Sequence, residues 1–358
     1  SLGLFIFLAI PRAHADVLGE QHVFSIDSVY DARGRSQVNA SLRGMSQKAY
    51  FYVADDYWSL LNQSSQYQLE NFMVQLGTEF DTRIYPTETA FFGSEPNPGI
   101  DGDSRITLLL TTLRNNVGGY FDSSNDYLRD QVPQSNQREM IYLNTSQLGN
   151  TDRVYPFLAH EFQHLISYNQ KEQLRRVSDD VWLNELRSEY AIALLGYNQV
   201  YDNSNFERRV SSFFQFPSDS LTEWPNDFPD YGQVAVLGEY IAEHWSPRVI
   251  GDTIATMTSG IASFNETLAK NGYSQTFDDV FASWMIANYL NDSRLGFLYG
   301  YTYPNLTTVH VAPTQLVNGV GDASVLSYSL SLKDWQQHWY DIQNLDLEYS
   351  GCMDTGFG

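Results

Sequence analysis

His160-Glu161-Phe162-Gln163-His164 matches the pattern H-E-x-x-H. Its flanks are helix-compatible: Tyr155, Phe157, Leu158, Leu165 and Ile166 supply the apolar positions, and Pro156 suits a first turn. On a helix, residues four apart are rotated by about 40° and raised by one turn, so both imidazoles leave from the same face. Neutral imidazole nitrogens in that arrangement can bind one Zn2+ at about 2.0–2.1 Å each. Glu161 is rotated beside the pair, close enough to reach a water on the ion without being a ligand itself.

Two histidines leave a zinc site incomplete, because a third protein ligand is needed. No His follows His164 until His244, which points to an acid on a second helix. The run Trp182-Leu183-Asn184-Glu185-Leu186-Arg187-Ser188-Glu189-Tyr190 offers one, behind Ser178, Asp179 and Asp180 as N-cap and acidic first turn. Glu185 and Glu189 are one turn apart and can face the histidine helix together. Two carboxylates packed on apolar surface are costly unless something positive compensates them. A zinc ion plus an imidazole N–H does so. Glu185 is assigned as the third ligand and Glu189 as the acceptor orienting a ligating histidine. The reverse assignment and a pair of solvated helix carboxylates stay open on these residues alone.

With the histidine pentad followed by Asn184-Glu185 and Ser188-Glu189, the chain resembles the gluzincin metallopeptidases. Thermolysin-like enzymes place a glutamate ligand in such an Asn-Glu pair, with an acid four positions later. The His-Glu-Phe-Gln-His-Leu-Ile stretch is similar to the hyicolysin family of secreted neutral metallopeptidases. So are Gly118-Gly119-Tyr120-Phe121, Arg138-Glu139-Met140-Ile141-Tyr142 and Asp279-Val280-Phe281-Ala282-Ser283-Trp284. The likeness runs from about residue 80 to residue 290. It implies an α+β, zincin-like metallopeptidase domain: a mixed sheet with an active-site helix, then a helical part. It further implies Zn2+ as cofactor, His160, His164 and Glu185 as metal ligands, and Asn184 and Glu189 behind them. Glu161 is then the general base that activates a zinc-bound water for endopeptidase attack on protein or peptide substrates.

The oxyanion of such a reaction needs a further donor. Tyr231, in Asp230-Tyr231-Gly232-Gln233, is the first candidate, with His244 and Tyr168 competing. In this clan the strand just before the zinc helix is an exposed edge along which substrate pairs, which singles out 138–144; an interior strand is the alternative. Arg187 departs from the pattern, standing where relatives carry a small or apolar residue, and so bears on the pocket beside the metal. An exopeptidase would need a dock for a free terminus, for which Glu223 or Glu239 are the available acids. A rival of another class is an adhesin or binding protein on a peptidase scaffold. The intact Glu161 argues against it, since a structural zinc site is closed by a fourth ligand and has no use for a base.

Around these motifs the pattern predicts few strands and many helices. Ala49–Ala54 reads as a buried strand closed by Asp55 and Asp56, and 59–76 as a helix. Pro, Gly, Asn and Asp make 81–104 a loop. Residues 105–111, apolar on both faces, read as a central strand. Gly118 begins a second long loop that ends at the strand 138–144, and from 155 to about 290 the pattern is helical. From 305 on, apolar and polar residues alternate, as in an incomplete antiparallel β module. The resulting division is 1–15, a partial signal peptide cut after Ala15; 16–150, the α/β part; 151–298, the helical part with the zinc motifs; and 299–358, a short β segment.

Composition narrows the function classes. The chain has 358 residues, 42% of them hydrophobic, with 43 acidic against 21 basic residues and a net charge of −22. That balance excludes a globally basic nucleic-acid footprint, and the apolar and aromatic content is enough for a core. Length alone suggests two or three folded units. The apolar run 2–10, followed by Ala13-His14-Ala15, is the signal of an exported protein, and no later stretch is long enough to span a membrane. A single cysteine, Cys352, permits no internal disulfide. A secreted monomer is expected. Asp101 and Asp103, with Asp122, Asn125 and Asp126 in the next loop, offer hard oxygens for Ca2+, though acidic turns of this kind are commonly just solvated.

Overall fold

A computed structural model describes residues 15–318 and 331–343. The apolar run 2–10, the alternations at 326–330 and 345–349, and Cys352 lie outside them.

The strands are β1 (Gln21–Ser25), β2 (Gln37–Met45), β3 (Ala49–Ala54), β4 (Ile106–Thr111), β5 (Gly119–Phe121) and β6 (Met140–Asn144), followed by β7 (Gln315–Asn318) and β8 (Tyr340–Gln343). The helices are α1 (Asp55–Trp58), α2 (Gln63–Glu79), α3 (Tyr85–Phe92), α4 (Thr151–Ser167), α5 (Val181–Leu194), α6 (Asn205–Gln215), α7 (Phe228–His244), α8 (Pro247–Asp252), α9 (Gly260–Lys270) and α10 (Phe277–Leu290). The fold is α+β. The first six strands form one mixed sheet in the order β1-β2-β3-β4-β6-β5. β3, β4 and β6 run parallel, while β1, β2 and β5 are antiparallel to their neighbours.

β3 and β4 are buried at every residue, as central strands covered on both faces must be. One face carries Tyr50, Tyr52, Leu109 and Tyr142 in a small cluster. The other carries Phe51, Leu108, Leu110 and Ile141 into a large core that continues through α4, α5, α7 and α10 to Trp284. The two halves expected at residue 150 therefore share one core. α4 is buried almost all round, between the sheet and α5, which is what a helix carrying a site inside the molecule requires.

Several expectations change. β1 and β2 lie in the stretch read as mixed and polar, and β2 carries a bulge between Leu42 and Gly44 where it pairs with β3. The loop expected over 81–104 begins only at Gly93. A π-turn over Phe80–Ile84 runs into α3, because Pro86 sits in the first turn, where no N–H is needed. Pro156 is not in a first turn: α4 starts at Thr151 and the proline lies inside it. Strand 138–144 is not an edge. β6 lies between β4 and β5, so the free edge belongs to β5, within what was read as a loop. Towards the C-terminus, Val309–Val311 is irregular, and β7 and β8 pair in parallel rather than antiparallel. Among the described residues no helix is long and apolar enough to cross a membrane.

Candidate metal centre

α4 presents His160 and His164 on one face, and α5 lies across it with Glu185 and Glu189 on the facing stripe. The Nε2 atoms of the two histidines stand 3.2 Å apart. Glu185 Oε2 lies 3.1 Å from the first and 3.5 Å from the second. Four ligands at about 2.0–2.1 Å in a tetrahedron stand about 3.3–3.4 Å from one another. The three atoms thus form one face of such a tetrahedron.

The far sides of the rings are held by other groups. His164 Nδ1 lies 3.1 Å from Ser188 Oγ, which donates in turn to Gln163 Oε1 at 2.6 Å, and Gln163 donates to Ser167. The hydroxyl proton is committed to Gln163, so Ser188 accepts from Nδ1–H, and the lone pair of His164 is at Nε2. Asn184 Oδ1 is a second acceptor at 3.4 Å. For His160, Glu189 Oε1 faces Nδ1 at 3.6 Å. The two Nε2 atoms, 3.2 Å apart, need a proton or a metal ion between them, and Glu185 Oε2, buried without a conventional donor, points at the same spot. The donor set of two imidazoles and one carboxylate suits Zn2+.

Electrostatics agree with that picture. Burial opposes the charge on His160, but the contact and charge of Glu185, with Glu161 and Glu189, carry its pKa up to about 9. Burial likewise opposes ionisation of Glu185, and the two histidines more than offset it, holding the carboxyl well below the usual range. The pocket is therefore set to hold positive charge against one carboxylate. Burial pushes the Glu161 carboxyl up, while the imidazoles and the backbone N–H of Phe121 restrain the rise. Glu161 sits over β5: a Cβ at Gly119 would lie 2.7 Å from the Tyr142 carbonyl and 3.5 Å from Glu161 Cγ. Only glycine lets the edge strand come this close.

Glu189 is held by a residue that sequence reasoning missed. Arg209 on α6 donates from Nε and Nη2 to its Oε1 at 3.1 and 2.7 Å. α6 comes so close to α7 that a Cβ at Gly232 would meet Phe213 N at 2.8 Å and Arg209 O at 2.9 Å. The same guanidinium stacks 4.3 Å over the Tyr231 ring. Tyr231 lies with its ring centroid 6.5 Å from that of His160, and its hydroxyl donates to Asn226 Oδ1 at 2.9 Å. Tyr30, in the turn after β1, is close enough for Glu161 and Glu185 to raise its pKa, behind the larger effect of its burial.

The remaining candidates lie elsewhere. His244 is on α7 with Tyr231 but thirteen residues on, about 20 Å along the axis, with Nε2 3.0 Å from the Gly300 carbonyl. Tyr168 follows α4 and is bonded by Gln173. Arg187 is fully buried and turns away from the metal centre towards Asp179 and Thr253. Glu223 pairs with Lys333, and Glu239 accepts from Asn198. Asp101 Oδ1 accepts from Asp103 N, while Asp103 accepts from Tyr50 Oη and Arg105 N. These two acids close a turn.

No family model matches the chain. It is 32% identical over 162 residues to the neutral metalloprotease ShpI of Staphylococcus hyicus, a match covering 41% of this chain and 34% of that protein. The chain thus spans about a third of that relative's length. Among solved structures it is similar to native yeast LTA4 hydrolase, at a TM-score of 0.39 and 12% identity, over 65% of this chain and 36% of that one. A second structure, native leukotriene A4 hydrolase from Saccharomyces cerevisiae, gives 0.37 and 13% over 66% and 36%. Both scores are too low to bear on fold or site.

Proposed function

We propose that this chain is a secreted zinc endopeptidase of gluzincin type, acting on proteins or peptides, with Zn2+ held by His160, His164 and Glu185. The carrying observation is the convergence of two imidazole Nε2 atoms and one carboxylate oxygen at 3.1 to 3.5 Å from one another. The partial likeness to a neutral metalloprotease supports the same conclusion. Secretion is inferred from the apolar run 2–10 ahead of Ala13-His14-Ala15.

An ion in this pocket supplies a Lewis acid for a peptide carbonyl and lowers the pKa of a water it binds. Glu161, beside the ligands and not among them, accepts the proton at its carboxylate and returns it to the leaving amine. β5, not β6, takes the part of the substrate edge: its outer side can pair with an extended peptide in any sequence, and it ends at Phe121 directly beside Glu161. Asn184, Ser188 and Glu189 hold the two imidazoles in their tautomers and orientations. Calcium at Asp101 and Asp103 would share the Asp103 carboxylate with Tyr50 and Arg105, and Zn2+ is the cofactor this function needs.

Tyr231 is the donor proposed for the oxyanion, once its hydroxyl swings from Asn226 towards the metal. Tyr231→Phe is expected to lower kcat by about 10²-fold with little change in KM. An unchanged kcat would move the role elsewhere, with Tyr30 next in line. The whole proposal is tested by incubating purified protein with casein. Chelation should abolish cleavage and added zinc should restore it; a zinc-loaded, folded chain that cuts no peptide bond would end it.

A further inference from the structure

Glu95, Asp126 and Glu139 line one open cavity of about 540 Å3 beside the end of α4. They are only 1%, 8% and 3% exposed. Apart from the carboxyl of Glu139, which lies against it, neither carboxylate oxygen of Asp126 has a hydrogen-bond partner, and Oε2 of Glu95 is orphaned. Glu139 accepts from Ile100 N at 2.7 Å, and Glu95 Oε1 from Tyr85 and Asn97. No Lys or Arg lines the cavity. Buried carboxylates are tolerated only where a proton or a cation compensates them. Burial, with the charge and close contact of Glu139, pushes the Asp126 carboxyl up.

The shape of the cavity selects the kind of cation. A metal ion needs a tight cage of oxygens at about 2.3–2.6 Å. Among the described residues Asp126 and Glu139 belong to no group of three acids or histidines whose ligand atoms lie within 4.8 Å of one another. Pro98, Ile100 and Leu174 instead give the cavity apolar walls. Apolar walls leading to buried acids suit a methylene stem that ends in an ammonium or guanidinium.

Its position ties it to the metal centre. Tyr168 lines the cavity and follows Glu161 by seven residues, two helical turns or about 10 Å along the same stripe. Its ring centroid is 6.0 Å from that of Phe121, at the end of the β5 edge, and 6.2 Å from that of Tyr127. A peptide extended along that edge advances about 3.3 Å per residue. The cavity is then about two or three residues from the bond being cut. Resting on the peptidase function above, we propose that this cavity is a specificity subsite that takes a lysine or arginine side chain of the substrate, with Asp126 and Glu139 as its recognition groups.

Digestion of a peptide library by the zinc-loaded full chain should show Lys and Arg enriched at one position, two or three residues from the cleaved bond. For a peptide pair with lysine or norleucine there, kcat/KM should favour lysine at least tenfold, through KM. Asp126→Asn with Glu139→Gln should erase that ratio and leave the norleucine peptide cut at the wild-type rate, which also reports that the variant is folded. Should the pair fail to fold, Asp126→Asn alone should still cut the ratio severalfold. Calorimetric binding of both peptides to the full chain carrying Glu161→Gln separates the two ideas. Selective binding of the lysine peptide by that variant, where the zinc-loaded wild-type chain hydrolyses neither peptide, would refute the peptidase function and keep the cavity's role. Normal hydrolysis with no preference for a base, or a preference that both substitutions leave intact, would overturn the subsite.

Discussion

Glu161→Gln should leave zinc bound one to one and lower kcat by about 10²–10⁴-fold, the usual contribution of a positioned general base. The substitution keeps the volume of a side chain that is 8% exposed, and the amide oxygen can still face Phe121 N–H. The three atoms that would hold the ion come from His160, His164 and Glu185, so none is lost. What disappears is the carboxylate placed beside them to take a proton from an attacking water. Zinc content by atomic absorption, measured with turnover of a fluorogenic peptide on the same sample, checks both halves. Turnover near the wild-type rate with zinc in place would remove Glu161 from the chemistry. Loss of zinc together with activity would make it a ligand.

The site was more legible in the sequence than the strand that serves it. A spacing of four residues is enough to place His160 with His164, or Glu185 with Glu189, on one face of a helix, whatever the rest of the fold does. β3 and β4 were equally plain, because continuous apolar residues fit only a strand covered on both faces. β5 was not: its glycine has low strand propensity, and the reason for that glycine, the Tyr142 carbonyl 2.7 Å from where a Cβ would stand, exists only in three dimensions. Whether a strand is an edge depends on the neighbours it acquires, so 138–144 could not be told from an interior strand by its own residues. Arg209 escaped for the same reason. Its tie to Glu189 depends on how closely α6 packs on α7 at Gly232, and nothing local to Arg209 distinguishes it from Arg208 beside it.

Glu185→Ala and Glu189→Ala should separate a ligand from its support. Glu185 Oε2 is 3.1 and 3.5 Å from the two Nε2 atoms, so its removal opens the tetrahedron and should weaken zinc binding by more than about 10³-fold, beyond what loss of an outer partner causes. Glu189 faces only the Nδ1 side of His160, at 3.6 Å, and its loss should cost about 10–100-fold. Stability should follow the opposite order in zinc-free protein. Glu189→Ala leaves the Arg209 guanidinium, 13% exposed, without its carboxylate; stranding a buried charge in this way costs about 3–5 kcal/mol. Glu185→Ala removes the carboxylate beside His160, but an imidazole can shed its proton where a guanidinium cannot, so no charge is left stranded. Competition titration against a chelator gives the two affinities, and thermal unfolding of the zinc-free variants gives the two stabilities. If Glu189→Ala proved the more damaging to zinc affinity, the third ligand would be Glu189 and Glu185 its support.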